Sequence, residues 1–264
     1  MFDTLQNWMI FPGAATQGRR KLTPQPGDAT ELVELKTPTG ERITALFGTA
    51  LDPDGLVRSD AHARPTCLYF YGNAMCLADC DEIFAHLRRL GCNVMIPEFL
   101  GYGMSQGKAG EAAVYATAKA AYDHLAQRGD INAEKVIVAG WSLGAAAAVH
   151  LASSEAVAGL MIFSAFTSMK ELVRRLFPYT PAAMILKHHF ENERKISAVR
   201  CPVLIVHGVH DSIIPFEMSR RLAAAAPGAR HLSIAAADHN DLFALGGPEI
   251  WPAVQWFVDE LAAK

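Results

Sequence analysis

From Thr66 onward, short apolar runs alternate with longer stretches whose apolar residues recur at helical spacing. The short runs are Thr66–Tyr71, Cys92–Pro97, Lys135–Ala139, Gly159–Ser164, Pro202–His207 and Arg230–Ala235. Their length and β-branched content predict buried strands. Between and after them, helices are predicted over Asp79–Leu90, Gly110–Gln127, Leu143–Ser153, Phe216–Ala226 and Pro248–Ala263. Gly91 and Gly129 suit helix ends, and Pro215 and Pro248 suit helix starts. Upstream, Glu31–Thr37 alternates apolar and polar residues, and Arg42–Thr49 follows the turn Pro38-Thr39-Gly40. These two segments predict an antiparallel hairpin at a sheet edge. The polar stretch Leu51–Pro65, with Asp52-Pro53-Asp54-Gly55, predicts a surface excursion. The sum is eight strands, the first two antiparallel, in one α/β domain over residues 1–264.

One crossover is too long for this rhythm. About 37 residues separate the strand ending at Ser164 from the next at Pro202. Phe166, Met169, Leu172, Leu176, Phe177, Met184 and Phe190 lie there, interrupted by Pro178 and Pro181. The pattern predicts two or three short helices, inserted at about residues 165–198. Open α/β sheets place their sites at the strands' C-terminal ends, so this insertion is expected to form a small cap lining an apolar pocket.

Composition narrows the function. The chain has 264 residues, 51% hydrophobic and 19% charged, with a net charge of −3 and a pI near 6.4. That suits a sizeable core and argues against a nucleic-acid partner, since no basic stripe is interleaved with aromatics. The main basic run, Arg19-Arg20-Lys21, reads as a solvated face. Residues 12–30, with Pro12, Gly13, Gly18, Pro24, Pro26 and Gly27, read as irregular. The N-terminus has no basic region ahead of a long apolar core, so neither a signal peptide nor a transmembrane segment is expected. Trp8, Met9, Ile10 and Phe11 are expected to pack on the domain. The five cysteines, Cys67, Cys76, Cys80, Cys92 and Cys201, are odd in number. Cys67, Cys92 and Cys201 lie in or beside apolar runs, which suits reduced thiols and a cytoplasmic location. Cys76 and Cys80 are four apart, but no second ligand pair follows at a suitable spacing, so no metal is expected. His188-His189 reads as surface or helix cap.

The chemistry concentrates at Ala139-Gly140-Trp141-Ser142-Leu143-Gly144-Ala145. This G-x-S-x-G stretch joins a predicted strand to an Ala-rich predicted helix, the context of a nucleophile elbow. Small residues on either side of Ser142 let strand and helix approach closely, and the Leu143 amide falls at a helix start, free to donate. A serine nucleophile needs an imidazole base held by a carboxylate. Of ten histidines, His239 alone sits in a loop after the last strand and before the final helix. His207 ends a strand and suits either core or site mouth. The acid is expected after the preceding strand, where Asp211 follows Gly208; Asp238 and Asp241, which flank His239, rank behind it. The order Ser142, Asp211, His239 is that of a hydrolase triad on an α/β sheet. A second oxyanion donor is expected from the loop Tyr71-Gly72-Asn73-Ala74-Met75, at the Asn73 amide.

Several stretches together resemble the α/β-hydrolase superfamily, and within it the ABHD-type serine hydrolases and their bacterial relatives. They include Met9-Ile10-Phe11-Pro12, Leu68-Tyr69-Phe70-Tyr71-Gly72-Asn73-Ala74, Gly101-Tyr102-Gly103-Met104-Ser105, Gly140-Trp141-Ser142-Leu143-Gly144, Phe166-Thr167-Ser168, Lys195-Ile196, Gly208 to Pro215 and His239-Asn240-Asp241. The resemblance implies an α/β-hydrolase fold with a small helical cap. It implies Ser142 as nucleophile, Asp211 as acid, His239 as base, and Asn73 and Leu143 as oxyanion donors. Three positions depart from the family pattern. Tyr71 replaces a histidine that braces the oxyanion loop, Glu98-Phe99-Leu100 replaces Asp-Tyr-Arg, and Trp141 adds bulk beside the nucleophile. With Phe166 and Phe177, Tyr71 and Trp141 are the expected substrate-binding residues. The reading is a cofactor-independent hydrolase of small-molecule carboxylic esters or thioesters with an apolar acyl or aromatic group. A small-peptide hydrolase on the same triad, or a binding protein on a hydrolase fold, are the alternatives. Serine at the elbow, rather than aspartate, argues against dehalogenase and epoxide-hydrolase chemistry.

Overall fold

A computed structural model describes residues 2–19, 21–24 and 29–263. Arg20 of the basic run and Pro26 and Gly27 of the irregular segment lie outside the described residues. In chain order the elements are α1 (Phe2–Ile10), β1 (Thr30–Lys36), β2 (Arg42–Gly48), β3 (Thr66–Phe70), α2 (Asp81–Arg89), β4 (Asn93–Pro97) and α3 (Glu111–Gln127). There follow β5 (Val136–Trp141), α4 (Leu143–Ser154), β6 (Gly159–Phe163), α5 (Met169–Leu176), α6 (Asn192–Ile196), β7 (Val203–Gly208), α7 (Phe216–Ala225), β8 (Arg230–Ile234) and α8 (Leu242–Ala262).

The strands form one sheet in the order β1-β2-β4-β3-β5-β6-β7-β8. β1 pairs antiparallel with β2, and β2 with β4. All other pairs are parallel, as βαβ crossovers require. The central strands β3, β4, β5, β6 and β7 are buried along their whole length save Trp141. That explains their continuous apolar runs, since helices cover both faces. The outer strands β1 and β8 keep polar, exposed positions. The excursion over residues 51–65 is clamped to the sheet by Asn93. Its side chain accepts from Ala50 N (3.0 Å) and donates to the Ala61 carbonyl (2.8 Å).

Three elements differ from the sequence expectation. The final helix begins at Leu242, not Pro248, and runs through both Pro248 and Pro252. Each proline removes one amide donor, but Ile250, Val254, Phe257, Val258 and Leu261 bury a continuous apolar stripe that holds the helix. The predicted helix over Asp79–Leu90 divides at Cys80 into a 3-10 turn, Leu77–Asp79, and α2. The N-terminus forms a helix and a 3-10 turn at Pro12–Thr16. There Ile10 and Phe11 are buried as expected, whereas Trp8 is 71% exposed and Met9 45%.

Candidate active site

The site grows from the turn between β5 and α4. Ser142 has φ +55° and ψ −114°, a left-handed conformation costly for a residue with a Cβ. The turn can be this tight because strand and helix nearly touch. A Cβ on Gly144 would run into the Phe70 carbonyl, and one on Gly140 into that of Gly144. Anchoring from β6, where the Phe163 carbonyl accepts from Ser142 N at 2.9 Å, completes the support. Leu143 is the first residue of α4, where an amide has no carbonyl one turn back to bond.

The loops after β7 and β8 bring the other two groups to this serine. His239 Nε2 lies 3.1 Å from Ser142 Oγ, and His239 Nδ1 lies 2.8 Å from Asp211 Oδ2. A carboxylate only accepts, so Nδ1 carries the hydrogen and Nε2 accepts from the Ser142 hydroxyl. All three side chains are at least nine-tenths buried. Asp238 and Asp241 serve the loop backbone instead. Asp238 accepts from Ser212 N (2.7 Å) and His239 N (2.6 Å), and Asp241 accepts from Asp238 N (2.7 Å).

Asp211 is held from two further sides. Its Oδ1 accepts from Ile213 N (3.0 Å) and Ile214 N (2.6 Å). Its Oδ2 also lies 3.2 Å from Nε2 of His207, which is 0% exposed. The same Nε2 lies 2.9 Å from the Ile214 carbonyl. Both neighbours only accept, so His207 Nε2 carries its hydrogen. Burial alone would push the Asp211 carboxyl up. The hydrogen bonds from His207 and His239, the electrostatic attraction of His239 and the Ile214 amide outweigh it and hold the carboxyl well below its usual range. The sequence left His207 between core and mouth; the structure places it in the core, directly behind Asp211.

Across the cleft, the Gly72-Asn73 turn is fixed through the Asn73 carbonyl. It accepts from Gly13 N (2.9 Å) and from the Tyr102 hydroxyl (3.0 Å). Gly13 has no room for a side chain: a Cβ there would meet the Asn73 and Met75 carbonyls at 2.7 Å. The N-terminal segment therefore builds part of the site, a role that composition alone did not reveal. Tyr71, expected to bind substrate, does not line the cavity. It is fully buried, and its hydroxyl donates to Glu98 Oε1 at 2.5 Å. Glu98 also accepts from Leu77 N (2.8 Å) and Met104 N (3.2 Å), and burial raises its pKa against the opposing Tyr71 hydrogen bond. Tyr71 and Glu98 thus form one brace beneath the turn, at two of the positions where the chain departs from its family pattern.

A cavity of about 500 Å³ opens over Ser142. Trp141, Phe166 and Phe177 line it as expected, together with Met9, Ile10, Met169, Leu172, Val173, Leu176 and Ile213. Asn73, Ser142, His239 and Asn240 stand among these as polar groups, and among the described residues no Asp, Glu, Lys or Arg lines the wall. Trp141 stacks on the His239 ring, with centroids 5.5 Å apart. His188 proves to be a connector: its Nε2 lies 2.8 Å from Asn7 Oδ1, and its Nδ1 accepts from Glu111 N (3.2 Å). Among the described residues, no three His, Cys, Asp or Glu side chains converge where a metal could bind.

A family model described as the alpha/beta hydrolase fold matches residues 65–185. An uncharacterized protein of Mycobacterium tuberculosis is 34% identical over 199 residues, covering 75% of this chain and 71% of that protein. Human alpha/beta hydrolase domain-containing protein 17B is 35% identical over 190 residues, covering 72% of this chain and 62% of the human protein. Among solved structures, the Pyrococcus furiosus esterase Pf2001 superimposes with a TM-score of 0.72 at 16% identity, covering 94% of this chain and 99% of its own. Est1E from Butyrivibrio proteoclasticus with bound ferulic acid gives a TM-score of 0.68 at 18% identity, covering 88% and 100%. At these identities the two structures speak to the fold alone.

Proposed function

The chain belongs to the α/β-hydrolase superfamily, and on that footing we propose that it is a serine hydrolase of carboxylic esters or thioesters. The observation that carries the reading is the buried hydrogen-bonded line from Ser142 through His239 to Asp211 at the floor of an uncharged, apolar cavity. His239 Nε2 takes the Ser142 proton as Oγ attacks the substrate carbonyl. The Asn73 and Leu143 amides receive the developing oxyanion, worth about 3 kcal/mol for each donor of this kind. The imidazolium, facing the Asp211 carboxylate, returns the proton to the leaving alcohol or thiol as the tetrahedral species collapses to an acyl-enzyme. Water then enters, gives a proton to His239, and the second collapse frees the acid and restores the Ser142 hydroxyl. The residues that act are all on the chain.

The cavity supports an apolar acyl or aromatic group, because a charged one would lose its water without gaining a partner. Trp141, Phe166 and Phe177 are the walls against which that group packs. The five cysteines are all free, four of them buried, which supports work in a reducing compartment such as the cytoplasm. A chain-length series of chromogenic esters and thioesters, run beside short peptides, tests the reading. We expect turnover of the acyl substrates, rising with chain length to the limit of the cavity, and none in Ser142→Ala. Faster cleavage of peptides would shift the assignment to amide hydrolysis.

A further inference from the structure

α1 forms one wall of the cavity, through Met9 and Ile10, and is tied to the insertion between β6 and β7 by its side chains. Gln6 uses both ends of its amide. Its Nε2 donates to the Ile185 carbonyl (2.9 Å), and its Oε1 accepts from Lys187 N (3.0 Å). Asn7 Nδ2 donates to the Ala109 carbonyl (3.3 Å), and Asn7 Oδ1 lies 2.8 Å from His188 Nε2. The turn that follows α1 is anchored separately. Gly18 N donates to the Gly103 carbonyl (2.7 Å) and Gly103 N to Thr16 Oγ1 (3.0 Å), so α1 can lift while that turn stays.

His188 is the part of this fastening that a proton can undo. Its Nδ1 accepts from Glu111 N, the first amide of α3, at 3.2 Å. A backbone amide only donates, so Nδ1 carries no hydrogen; Nε2 carries it and donates to Asn7 Oδ1. Both bonds therefore exist together only in the neutral ring. A proton on Nδ1 would set one N–H against another, at a helix start whose dipole repels a cation. The ring is packed in place: Phe11 stands edge-on to it with centroids 5.0 Å apart, and a Cβ on Gly110 would touch its Cε1 at 3.5 Å. Among the described residues, the Glu111 carboxylate attracts a proton to this ring. Its oxygens already accept from His189 N (2.6 Å), Phe190 N (2.9 Å) and the Tyr115 hydroxyl (2.7 Å), and Lys195 Nζ stands 4.0 Å away. Glu191, further along the chain, pairs with Arg194 at 2.8 Å. Lys108, next to Ala109, and Lys187 oppose the proton, and His189 joins them once charged.

We propose that α1 is a lid and His188 its pin: the neutral ring fastens α1 over the cavity, and protonation of the ring releases it. The closed lid refuses a proton that the open lid accepts, so acid favours opening. For an open ring titrating at about 6.5 and a closed ring that takes no proton, the open fraction rises about tenfold between pH 7.5 and pH 5.5. Passage of substrate beside Met9 and Ile10 rests on the hydrolase reading above; the lid itself does not.

The open fraction is read by hydrogen exchange of the full-length chain, followed by mass spectrometry at both pH values and corrected for the intrinsic exchange rates. Protection of the α1 amides in the parent should fall about tenfold at the lower pH. His188→Gln, which keeps an N–H within reach of Asn7 Oδ1 and cannot titrate, should protect α1 equally at both. Asn7→Leu, which removes the pin from the other side, should expose α1 at pH 7.5 and leave little for acid to add. Constant α1 protection in the parent overturns the proposal. So does a fall in His188→Gln as large as the parent's, which assigns the switch to another group. If His188→Gln does not fold, Asn7→Leu decides, and a parent-like response to pH in that variant overturns the proposal. Because exchange is read without substrate, the two readings fail separately. A chain with the expected switch but no ester turnover overturns the hydrolase reading alone. An active chain with constant α1 protection overturns the lid alone.

Discussion

Asp211 has its negative charge satisfied from three directions: two backbone amides on one oxygen and two histidines on the other. That geometry fixes the carboxylate and, through it, the tautomer and tilt of His239. On the proposed triad His207 is a positioning residue, since it touches Asp211 and not the cavity. His207→Phe should lower kcat by about 10- to 100-fold with little change in KM, as expected when a reacting group is misplaced by a fraction of an ångström. His207→Gln, which keeps an N–H donor at similar reach, should recover most of that loss. A change confined to KM would show that His207 shapes binding instead. The positions of Ser142, Asp211 and His239 were legible in the sequence because each stands at a strand end in an order the sheet imposes. His207 was not, because a histidine at the end of a buried strand carries no signal of what lies behind it until the loop folds back. Tyr71 was misread for a related reason: adjacency to the oxyanion loop says nothing about which side of the loop its ring takes.

Among the elements, the N-terminal segment carries more of the site than its irregular composition suggested. The 3-10 turn at Pro12–Thr16 brings Gly13 onto the Asn73 carbonyl, so the Gly72-Asn73 turn, the proposed oxyanion donor, is held from outside the sheet. Gly13→Ala must push that turn away. We expect kcat to fall by about tenfold or more and stability to fall by about 1–3 kcal/mol, the usual range for a forced overpacking, both readable from ester kinetics and chemical denaturation. Unchanged kinetics would mean the turn does not hold the donor. A second brace ties α3 and α4 to the segment entering α6. His150 stacks on Tyr115 at 3.7 Å, and Tyr115 donates to Glu111 Oε1 at 2.7 Å. Burial, and then the charge of Lys195, push the His150 pKa down from 6.5 to about 4. The unfolded chain therefore binds a proton that the folded chain refuses, and stability falls as pH drops from 6.5 toward 4. Melting at pH 7 and pH 5 should show a loss larger in the parent than in His150→Phe by on the order of 1 kcal/mol, the partial exposure of the ring screening the rest. Equal pH slopes would contradict this. The late start predicted for the last helix has a local cause. Gly246-Gly247-Pro248 reads as a boundary, yet the apolar stripe from Ile250 to Leu261 and the packing of Gly246 against Ile234 carry the helix through it.

For the whole molecule, the parallel core followed from the alternation of short apolar runs with amphipathic helices, because a strand buried on both faces has no polar positions to lose, whereas the sheet order, with β4 between β2 and β3, did not. The crossover between β6 and β7 was legible as an insertion from its length, but its shape was not. α5 is short, and the wall it forms together with Met9 and Ile10 of α1 joins residues that lie far apart in sequence. Cavity size should therefore be tunable from this wall. Val173→Trp, which fills space in the cavity that Val173 lines, is expected to raise KM for long-chain esters by about tenfold while leaving the acetyl ester unaffected, and a uniform change across the series would place the acyl group elsewhere. The central claim is that Ser142 is the nucleophile, activated by His239 and Asp211. Its most direct measurement is the intact mass and peptide map of the full chain after reaction with a fluorophosphonate, beside Ser142→Ala. One adduct is expected, on the peptide containing Ser142, with ester turnover lost in step with labelling and a fall of about 10⁴-fold or more in the alanine variant. Labelling at another residue, or undiminished turnover in Ser142→Ala, would contradict it.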